Sequence, residues 1–195
     1  MTEDFDIFEE DWPEDHRSGV IAVVGRPNAG KSTLINRVLG QKIAIVTDKP
    51  QTTRRQQLGI YTTQAAQILF VDTPGLHKAH NLLGEYMLGV AESALKDADL
   101  ILWVIDASTS VTEGERVIAE TVKNLRGDTP LVMALNKTDL NGADQDYGEH
   151  LALAEPTKAM EISALNGTGV DELLSYVVTQ LPMGPRYYPA DQVSE

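Results

Sequence analysis

The stretch that decides the fold is VIAVVGRPNAGKSTLINRVLG, residues 20–40, where an apolar run leads through a loop into a segment of helical period. Residues 20–24 are all apolar, as expected for a strand that is buried on both faces. Lys31 to Leu39 carries apolar residues at helical spacing. A strand, a loop of the form G-x-x-x-x-G-K-S and a helix, in this order, predict an α/β domain that binds the phosphates of a nucleotide.

The loop at residues 25–32 supplies groups that suit a triphosphate. Backbone N–H groups from about Asn28 to Ser32, with the N-terminus of the helix behind them, are expected to point at the phosphates. Lys31 is the catalytic candidate that bridges the outer phosphates, and the Ser32 hydroxyl is placed to ligate Mg²⁺. The predicted nucleotide contacts of this loop are Gly25, Arg26, Pro27, Asn28, Ala29, Gly30, Lys31, Ser32 and Thr33. Alone, the loop leaves ATP and GTP both open.

Further apolar runs, separated by segments of helical period, predict the rest of the sheet. The predicted strands after the first are residues 57–62, 67–72, 100–106, 131–136 and 160–164. The predicted helices are residues 31–39, 82–95, 113–125 and 170–181. Only residues 63–66 separate the second and third strands, which is too short for a crossover, so these two strands must be antiparallel. The prediction is a mostly parallel six-stranded sheet with one antiparallel edge strand and helices on both faces.

The tetrapeptide DTPG, residues 72–75, follows a buried strand. Asp72 is therefore delivered at a carboxyl end of a strand, where open α/β sheets place their ligands, and its carboxylate can hold Mg²⁺ through water. The backbone N–H of Gly75 can approach the γ-phosphate, so that losing this contact on hydrolysis would release the following loop. Thr73 and Pro74 complete this predicted part of the nucleotide site.

The tetrapeptide NKTD, residues 136–139, decides the base. The Asp139 carboxylate can accept from the N1–H and the exocyclic amine of guanine together, and adenine offers neither donor there. Asn136 can hydrogen-bond the base and tie neighbouring loops together, and the aliphatic stem of Lys137 can cover the ring. These residues predict a guanine nucleotide and conflict with a P-loop kinase or an ATPase.

The last predicted strand ends in ISA, residues 162–164. The backbone N–H of Ala164 can donate to guanine O6, and Ser163 beside it is assigned to the same site. Together with the motifs upstream, these residues complete the sequence pattern of a P-loop GTPase that binds GTP with Mg²⁺ and hydrolyses it to GDP.

Composition limits the partners and the compartment. The 195 residues include 29 acidic and 16 basic side chains, for a formal charge of −13, and eight of the acids lie within residues 1–15. We expect residues 1–17 to form a disordered acidic arm that disfavours RNA binding. The absence of cysteine excludes disulfides, thiol catalysis and cysteine-ligated zinc. No signal peptide or membrane-spanning run is evident, so a cytoplasmic protein is expected.

With these motifs in hand, the chain resembles the Era family of bacterial GTPases from Val20 to Ser194. The resemblance rests on the strings GQKIAIV (40–46), KPQTTR (49–54), VDTPGLHK (71–78) and LPMGPRYYPADQVS (181–194). It implies a GTP-binding domain at residues 18–182 and a linker at residues 183–195. That linker would lead to a C-terminal KH-type domain, of which this chain has no GxxG motif.

The resemblance also implies a function: slow hydrolysis of GTP that switches attachment to the small ribosomal subunit during assembly. The family contacts 16S ribosomal RNA only through the KH domain, associates peripherally with the membrane, and is expected here to be a monomer. An alternative is a nucleotide-gated interaction scaffold in which turnover is incidental.

Two residues acquire catalytic roles from related GTPases. Thr53, rather than Thr52, is expected to complete the Mg²⁺ shell, because it directly precedes an arginine. Leu76 occupies the position at which Ras-like GTPases carry the glutamine that orients water, and leucine cannot do this. The carbonyl of the Asn28 side chain is a candidate for holding K⁺ against the phosphates; the alternative is that Asn28 only hydrogen-bonds within its loop.

Overall fold

The sheet has the predicted architecture. The computed structural model describes residues 12–40, 57–73, 92–142 and 145–188. Its strands are β1 Arg17–Val24, β2 Gln57–Thr62, β3 Ala66–Asp72, β4 Leu100–Asp106, β5 Leu131–Asn136 and β6 Lys158–Glu161. Their order is β2-β3-β1-β4-β5-β6, with β2 antiparallel to β3 and the other neighbours parallel. The predicted mixed sheet with one antiparallel edge strand is confirmed.

Helices cover both faces of the sheet. The described helices are α1 Lys31–Gly40, α2 Glu113–Leu125, α3 Gly148–Leu151 and α4 Val170–Gln180, and residues 92–96 and Thr138–Leu140 form further helical turns. Leu34 of α1 and Leu173 of α4 lie in one hydrophobic cluster, and Ile118 of α2 lies in a second. Most of the helix predicted at residues 82–95 lies outside the described residues.

The predicted bounds of β2, β4 and β5 agree with the structure, β3 begins one residue earlier than predicted, at Ala66, and the bounds of β1 and β6 differ by more. Strand β1 begins three residues before the predicted Val20, because Arg17 to Gly19 pair with Ala66 to Ile68 of β3. Strand β6 ends at Glu161 rather than at Ala164. The backbone from Ile162 onward leaves the sheet and contacts the loop that follows β5, as described below.

Both ends of the described chain lie against the amino ends of β1 and β3. Gly184 N donates to His16 O at 3.0 Å, and Ser18 N donates to Pro182 O at 3.1 Å. The buried Gln67 side chain accepts from the N–H groups of Tyr187 and Tyr188 at 2.7 and 2.9 Å. Residues on both sides of the predicted domain of residues 18–182 thus hydrogen-bond to each other or to the sheet, and the domain boundaries stay a prediction.

The parallel register brings the functional loops to one edge. Val23 of β1 is level with Asp72 of β3, and Asp106 of β4 is level with Asn136 of β5. Since parallel strands end at the same edge of a sheet, the loops that follow them meet there. Within the described part of the chain, no helix has the length and apolar character that crossing a membrane requires.

Candidate nucleotide-binding site

The loop between β1 and α1 has a backbone that few residue types can adopt. Gly25 has φ 152°, and a Cβ on it would lie 2.4 Å from Val104 O. Gly30 has φ 102°, and a Cβ on it would lie 2.2 Å from the Asn136 side chain. Both positions therefore require glycine. Asn28, with φ 65°, is in the left-handed region, which asparagine tolerates better than most residues.

Lys31, at the start of α1, is held by the loop that precedes it. Its Nζ donates to Gly25 O at 2.6 Å and to Arg26 O at 3.1 Å. Burial lowers the pKa of Lys31, and the negative charge of Asp72 partly opposes this shift. A phosphate would add negative charge beside a partly desolvated ammonium group, which is where a charge contact is strongest. Ser32 and Thr33, which follow in α1, are exposed.

Strand β3 presents its last residues beside the loop. Asp72 is partly exposed, and its Oδ1 accepts from Thr73 N at 2.9 Å. The Thr73 hydroxyl donates to Val23 O at 2.9 Å and is buried, so this side chain fastens the end of β3 to β1. Pro74, Gly75 and the Thr53 of the predicted Mg²⁺ shell lie outside the described residues.

The oxygen atoms at this edge fit a small divalent cation. Asp72 offers a carboxylate within the electrostatic reach of Lys31, and Ser32 offers an exposed hydroxyl at the N-terminus of α1. Mg²⁺ prefers oxygen ligands and keeps several waters when it is bound with phosphates. The described donors thus suit the predicted ion.

Asn136 joins the three loops of the site. Its buried side chain donates from Nδ2 to Ala29 O at 2.8 Å, and its Oδ1 accepts from Ala164 N at 2.9 Å. The next turn is joined as well, because the Thr138 hydroxyl donates to Ile162 O at 2.9 Å. The Ala164 N–H that was expected to reach guanine O6 thus already has an acceptor, and that role stays a prediction.

Asp139 is exposed, and the buried Ser163 orients its carboxylate. The Ser163 hydroxyl donates to Asp139 Oδ1 at 2.6 Å and accepts from Asn166 N at 3.1 Å. Ser163 itself is only 1% exposed. Because the Ser163 hydroxyl both donates and accepts a hydrogen bond, it holds the carboxylate in one orientation. A carboxylate that accepts from two adjacent donors of a base needs such a fixed orientation.

Asp106, at the end of β4, belongs to this site although it lies outside the sequence motifs. Its Oδ2 accepts from Lys137 Nζ at 2.6 Å, and its Oδ1 accepts from Ser108 Oγ and Ser108 N at 2.5 and 3.1 Å. Burial alone would raise the pKa of Asp106, but the hydrogen bonds from Lys137 and Ser108 outweigh it and lower the pKa. One indication of this role is present in the sequence: Asp106 is the last residue of β4, the strand that pairs with β5.

The Arg26 side chain points to the same group. Its guanidinium lies 3.5 Å from Asp106 Oδ2, donates to Glu115 Oε1 at 3.2 Å, and donates to the Thr109 hydroxyl at 2.8 Å. Glu115 is fully buried in the first turn of α2. Arg26 was predicted to contact the nucleotide, but its side chain pairs with the carboxylates of Asp106 and Glu115.

Comparison with known proteins gives a family for most of this chain. The sequence model of a family described as 50S ribosome-binding GTPase matches residues 20–137. That range includes the phosphate loop, DTPG and the first two residues of NKTD.

Solved structures agree in fold and in much of the sequence. Era in complex with MgGDPNP and nucleotides 1506–1542 of 16S ribosomal RNA is 35% identical, with a TM-score of 0.73, over 91% of this chain and 61% of that one. A variant of Aquifex aeolicus Era bound to GDP.AlF4⁻ is 33% identical, with a TM-score of 0.70, over 92% and 62%. The chain thus spans about three fifths of the length of these two Era structures.

More distant structures share the fold alone. The G domain of the T. maritima FeoB iron transporter is 23% identical, with a TM-score of 0.61, over 84% of this chain and 98% of that one. The fold is therefore shared more widely than the sequence.

Proposed function

Because this chain belongs to the family of 50S ribosome-binding GTPases and folds as an Era-like G domain, we propose that it binds GTP with Mg²⁺ at the edge of the sheet formed by β1, β3, β5 and β6. It hydrolyses GTP slowly to GDP. This conclusion rests on one observation: Asn136 hydrogen-bonds both the phosphate loop and the loop that follows β6.

That observation matters because the two loops lie far apart in the chain. Ala29 and Ala164 are brought to the two ends of one buried amide side chain, which leaves a preformed ring of backbone and side-chain groups. Loops that are already joined lose less ordering entropy when the nucleotide binds.

Asp139 selects the base in this proposal. Its carboxylate, oriented by Ser163, accepts from the N1–H and the exocyclic amine of guanine, while the stem of Lys137 covers one face of the ring. In a competition assay, we expect GTP to displace a labelled guanine nucleotide far more effectively than ATP does. Equal competition by the two nucleotides would exclude this assignment.

An amide at position 139 provides a stricter test of the same role. Asp139→Asn places an amide where two donors need acceptors, so we expect GTP affinity to fall by roughly 10- to 100-fold. Xanthine nucleotides, which present an oxygen in place of the amine, should lose much less affinity or gain some. The matched control is Asp128→Asn, an exposed acid in the turn before β5.

Lys31, Ser32 and Asp72 serve the phosphates. The Lys31 ammonium would contact the outer phosphate oxygens, and Ser32, Asp72 and Thr53 would hold Mg²⁺. When bound, Mg²⁺ would neutralise charge that develops on the phosphate oxygens. Since Leu76 cannot orient water, hydrolysis without an activator is expected to be on the order of 10⁻⁴ to 10⁻² per second. K⁺ held by Asn28 would supply further positive charge.

The protein is also proposed to act at the small ribosomal subunit. A nucleotide-dependent change in this domain would control attachment to the small subunit through a KH-type domain, joined by the C-terminal segment whose residues 183–188 lie against the sheet. The proposal is supported by Era, crystallised with a 16S ribosomal RNA fragment and aligned over 91% of this chain. Peripheral membrane association and a monomeric state belong to the same proposal.

Phosphate release separates this switch from a scaffold with incidental turnover. GTP hydrolysis by the full-length protein that the gene encodes would be measured with and without small-subunit ribosomal RNA. A switch predicts a several-fold rise with RNA. A rate that RNA leaves unchanged would favour the scaffold.

A further inference from the structure

Two positive side chains from separate nucleotide loops meet at one carboxylate oxygen. Asp106 Oδ2 lies 2.6 Å from Lys137 Nζ, in the base-recognition loop, and 3.5 Å from an Nη of Arg26, in the phosphate loop. The other oxygen, Oδ1, is held by Ser108 through its hydroxyl and its N–H. The carboxylate is thus saturated with donors and fixed in orientation.

The charges of this cluster balance. Asp106 and Glu115 are both buried, and they face two cations, Arg26 and Lys137. A buried charge that loses its partner is far more costly than an exposed one, so each member of the cluster depends on the others. The two acids differ in one respect: among the described residues Glu115 pairs only with Arg26, whereas Asp106 pairs with both cations.

The Lys137 backbone shows why its ammonium group needs an anchor. Lys137 has φ 69° and ψ 31°, a left-handed conformation that a lysine rarely adopts. Such a backbone persists where the surrounding contacts determine it. Asp106 supplies one of those contacts, and Asp139 follows two residues later in the helical turn Thr138–Leu140.

We propose that Asp106 is a positioning residue that couples the phosphate loop to the base-recognition loop. By holding Arg26 and Lys137 at one oxygen, it makes guanine discrimination depend on the same carboxylate that orders the loop around the phosphates. This inference rests on the guanine-nucleotide site proposed above. It adds to that site a residue outside its sequence motifs.

Two affinity ratios separate coupling from a loss of folding. The ratio of GDP to IDP affinity reports reading of the exocyclic amine, which inosine lacks, and the ratio of GDP to GMP affinity reports the hold on the outer phosphate. Asp106→Asn should lower both ratios, each by at least about three-fold, because both loops lose an anchor. Glu115→Gln should lower only the GDP to GMP ratio. Asp128→Asn is the control that should change neither.

A milder variant covers the case in which Asp106→Asn does not fold. Ser108→Ala removes the 2.5 Å hydrogen bond to Asp106 Oδ1 without creating an unpaired charge. It should lower both ratios in the same direction by a smaller factor, about two-fold. Folding is checked by circular dichroism before each titration.

The outcomes are distinguishable from failure of the proposed function. If the unmodified chain does not prefer GDP to ADP, the guanine site itself is absent. If it does, and folded Asp106→Asn or Ser108→Ala loses affinity for GDP, IDP and GMP by one common factor, Asp106 is only structural and the coupling is rejected. A fall in GDP to IDP discrimination for Glu115→Gln as large as for Asp106→Asn would also overturn it.

Discussion

Asn28 has two separable properties at the residue scale. Its φ of 65° is a backbone requirement, and the side-chain carbonyl of this exposed residue is the candidate ligand for K⁺. Alanine removes the carbonyl and also strains the backbone, because a left-handed conformation costs most L residues about 1–2 kcal/mol. Glycine removes the carbonyl and keeps the conformation.

We predict that GTP turnover by the unmodified chain is faster in K⁺ than in Na⁺ at equal ionic strength. The stimulation should disappear in both Asn28→Gly and Asn28→Ala, while Asn28→Ala alone should lose about 1 kcal/mol of unfolding free energy. Phosphate release and urea unfolding measure the two effects. A stimulation that survives in Asn28→Gly would remove Asn28 from the K⁺ site.

Asp106 is expected to make the unfolding free energy of the protein depend on pH in the acid range. Its pKa in the folded state lies below the ordinary value of 3.8. Its contribution to stability is therefore complete above the unfolded pKa and is lost as the pH falls through the lowered folded pKa. The difference in unfolding free energy between the unmodified chain and Asp106→Asn should be constant from about pH 5 to 7 and should shrink below about pH 4. Urea titrations at several pH values test this, and a difference that does not depend on pH would contradict it.

At the scale of elements, the start of α2 joins helix stability to the nucleotide loops. The Thr112 side chain accepts from Glu115 N, and the Glu115 side chain accepts from Thr112 N at 2.7 Å, which forms a capping box. The same Glu115 carboxylate contacts Arg26 in the phosphate loop. The cap thus fixes the carboxylate that faces the phosphate loop.

We predict that Thr112→Ala lowers the unfolding free energy by about 1 kcal/mol, since an N-cap acceptor is lost. Thr112→Ser retains the hydroxyl and should lose only a fraction of this. Equilibrium unfolding in urea measures both variants. Equal losses for alanine and serine would show that packing of the methyl group, rather than the cap, carries the effect.

At the scale of the whole molecule, Gln67 connects residues that are far apart in the chain. Its Oε1 accepts from Tyr187 N and Tyr188 N, and its Nε2 donates to Tyr188 O and to the Thr62 hydroxyl. Gln67 is fully buried, and it lies on β3, the strand that ends at Asp72. The segment after α4 is therefore attached to the strand that leads to the phosphate site.

Gln67→Met keeps the volume of the side chain and removes its hydrogen bonds. We expect a loss of roughly 1–3 kcal/mol and faster hydrogen exchange at the backbone N–H groups of Tyr187 and Tyr188. Thr62→Val is the control, because it removes only one of these bonds. Unchanged exchange at both tyrosines in Gln67→Met would mean that other contacts hold the segment.

The overall charge determines a further property of the whole chain. With 29 acidic and 16 basic residues, residues 1–195 should bind RNA weakly, because contacts to phosphate supply most nonspecific affinity. A filter-binding titration at about 0.15 M salt is expected to give no sub-micromolar affinity. Tight binding by this chain alone would place an RNA surface on the G domain itself.

The sequence by itself determined the local elements and the motifs. Strands β2, β4 and β5 are continuous apolar or alternating runs with clear ends, and α2 has both its period and its cap in one short window. These features depend on neighbouring residues, so a local pattern predicts them. The short hairpin link predicted the antiparallel edge in the same way.

The tertiary structure alone decided how distant residues are paired. The early end of β6 follows from Ala164 and Ser163 turning towards Asn136 and Asp139, and the role of Asp106 follows from two cations that arrive from other loops. The attachment of residues 183–188 depends likewise on Gln67, more than a hundred residues away. Such pairings are set by which strands become neighbours in the sheet, and no short window of sequence contains that information.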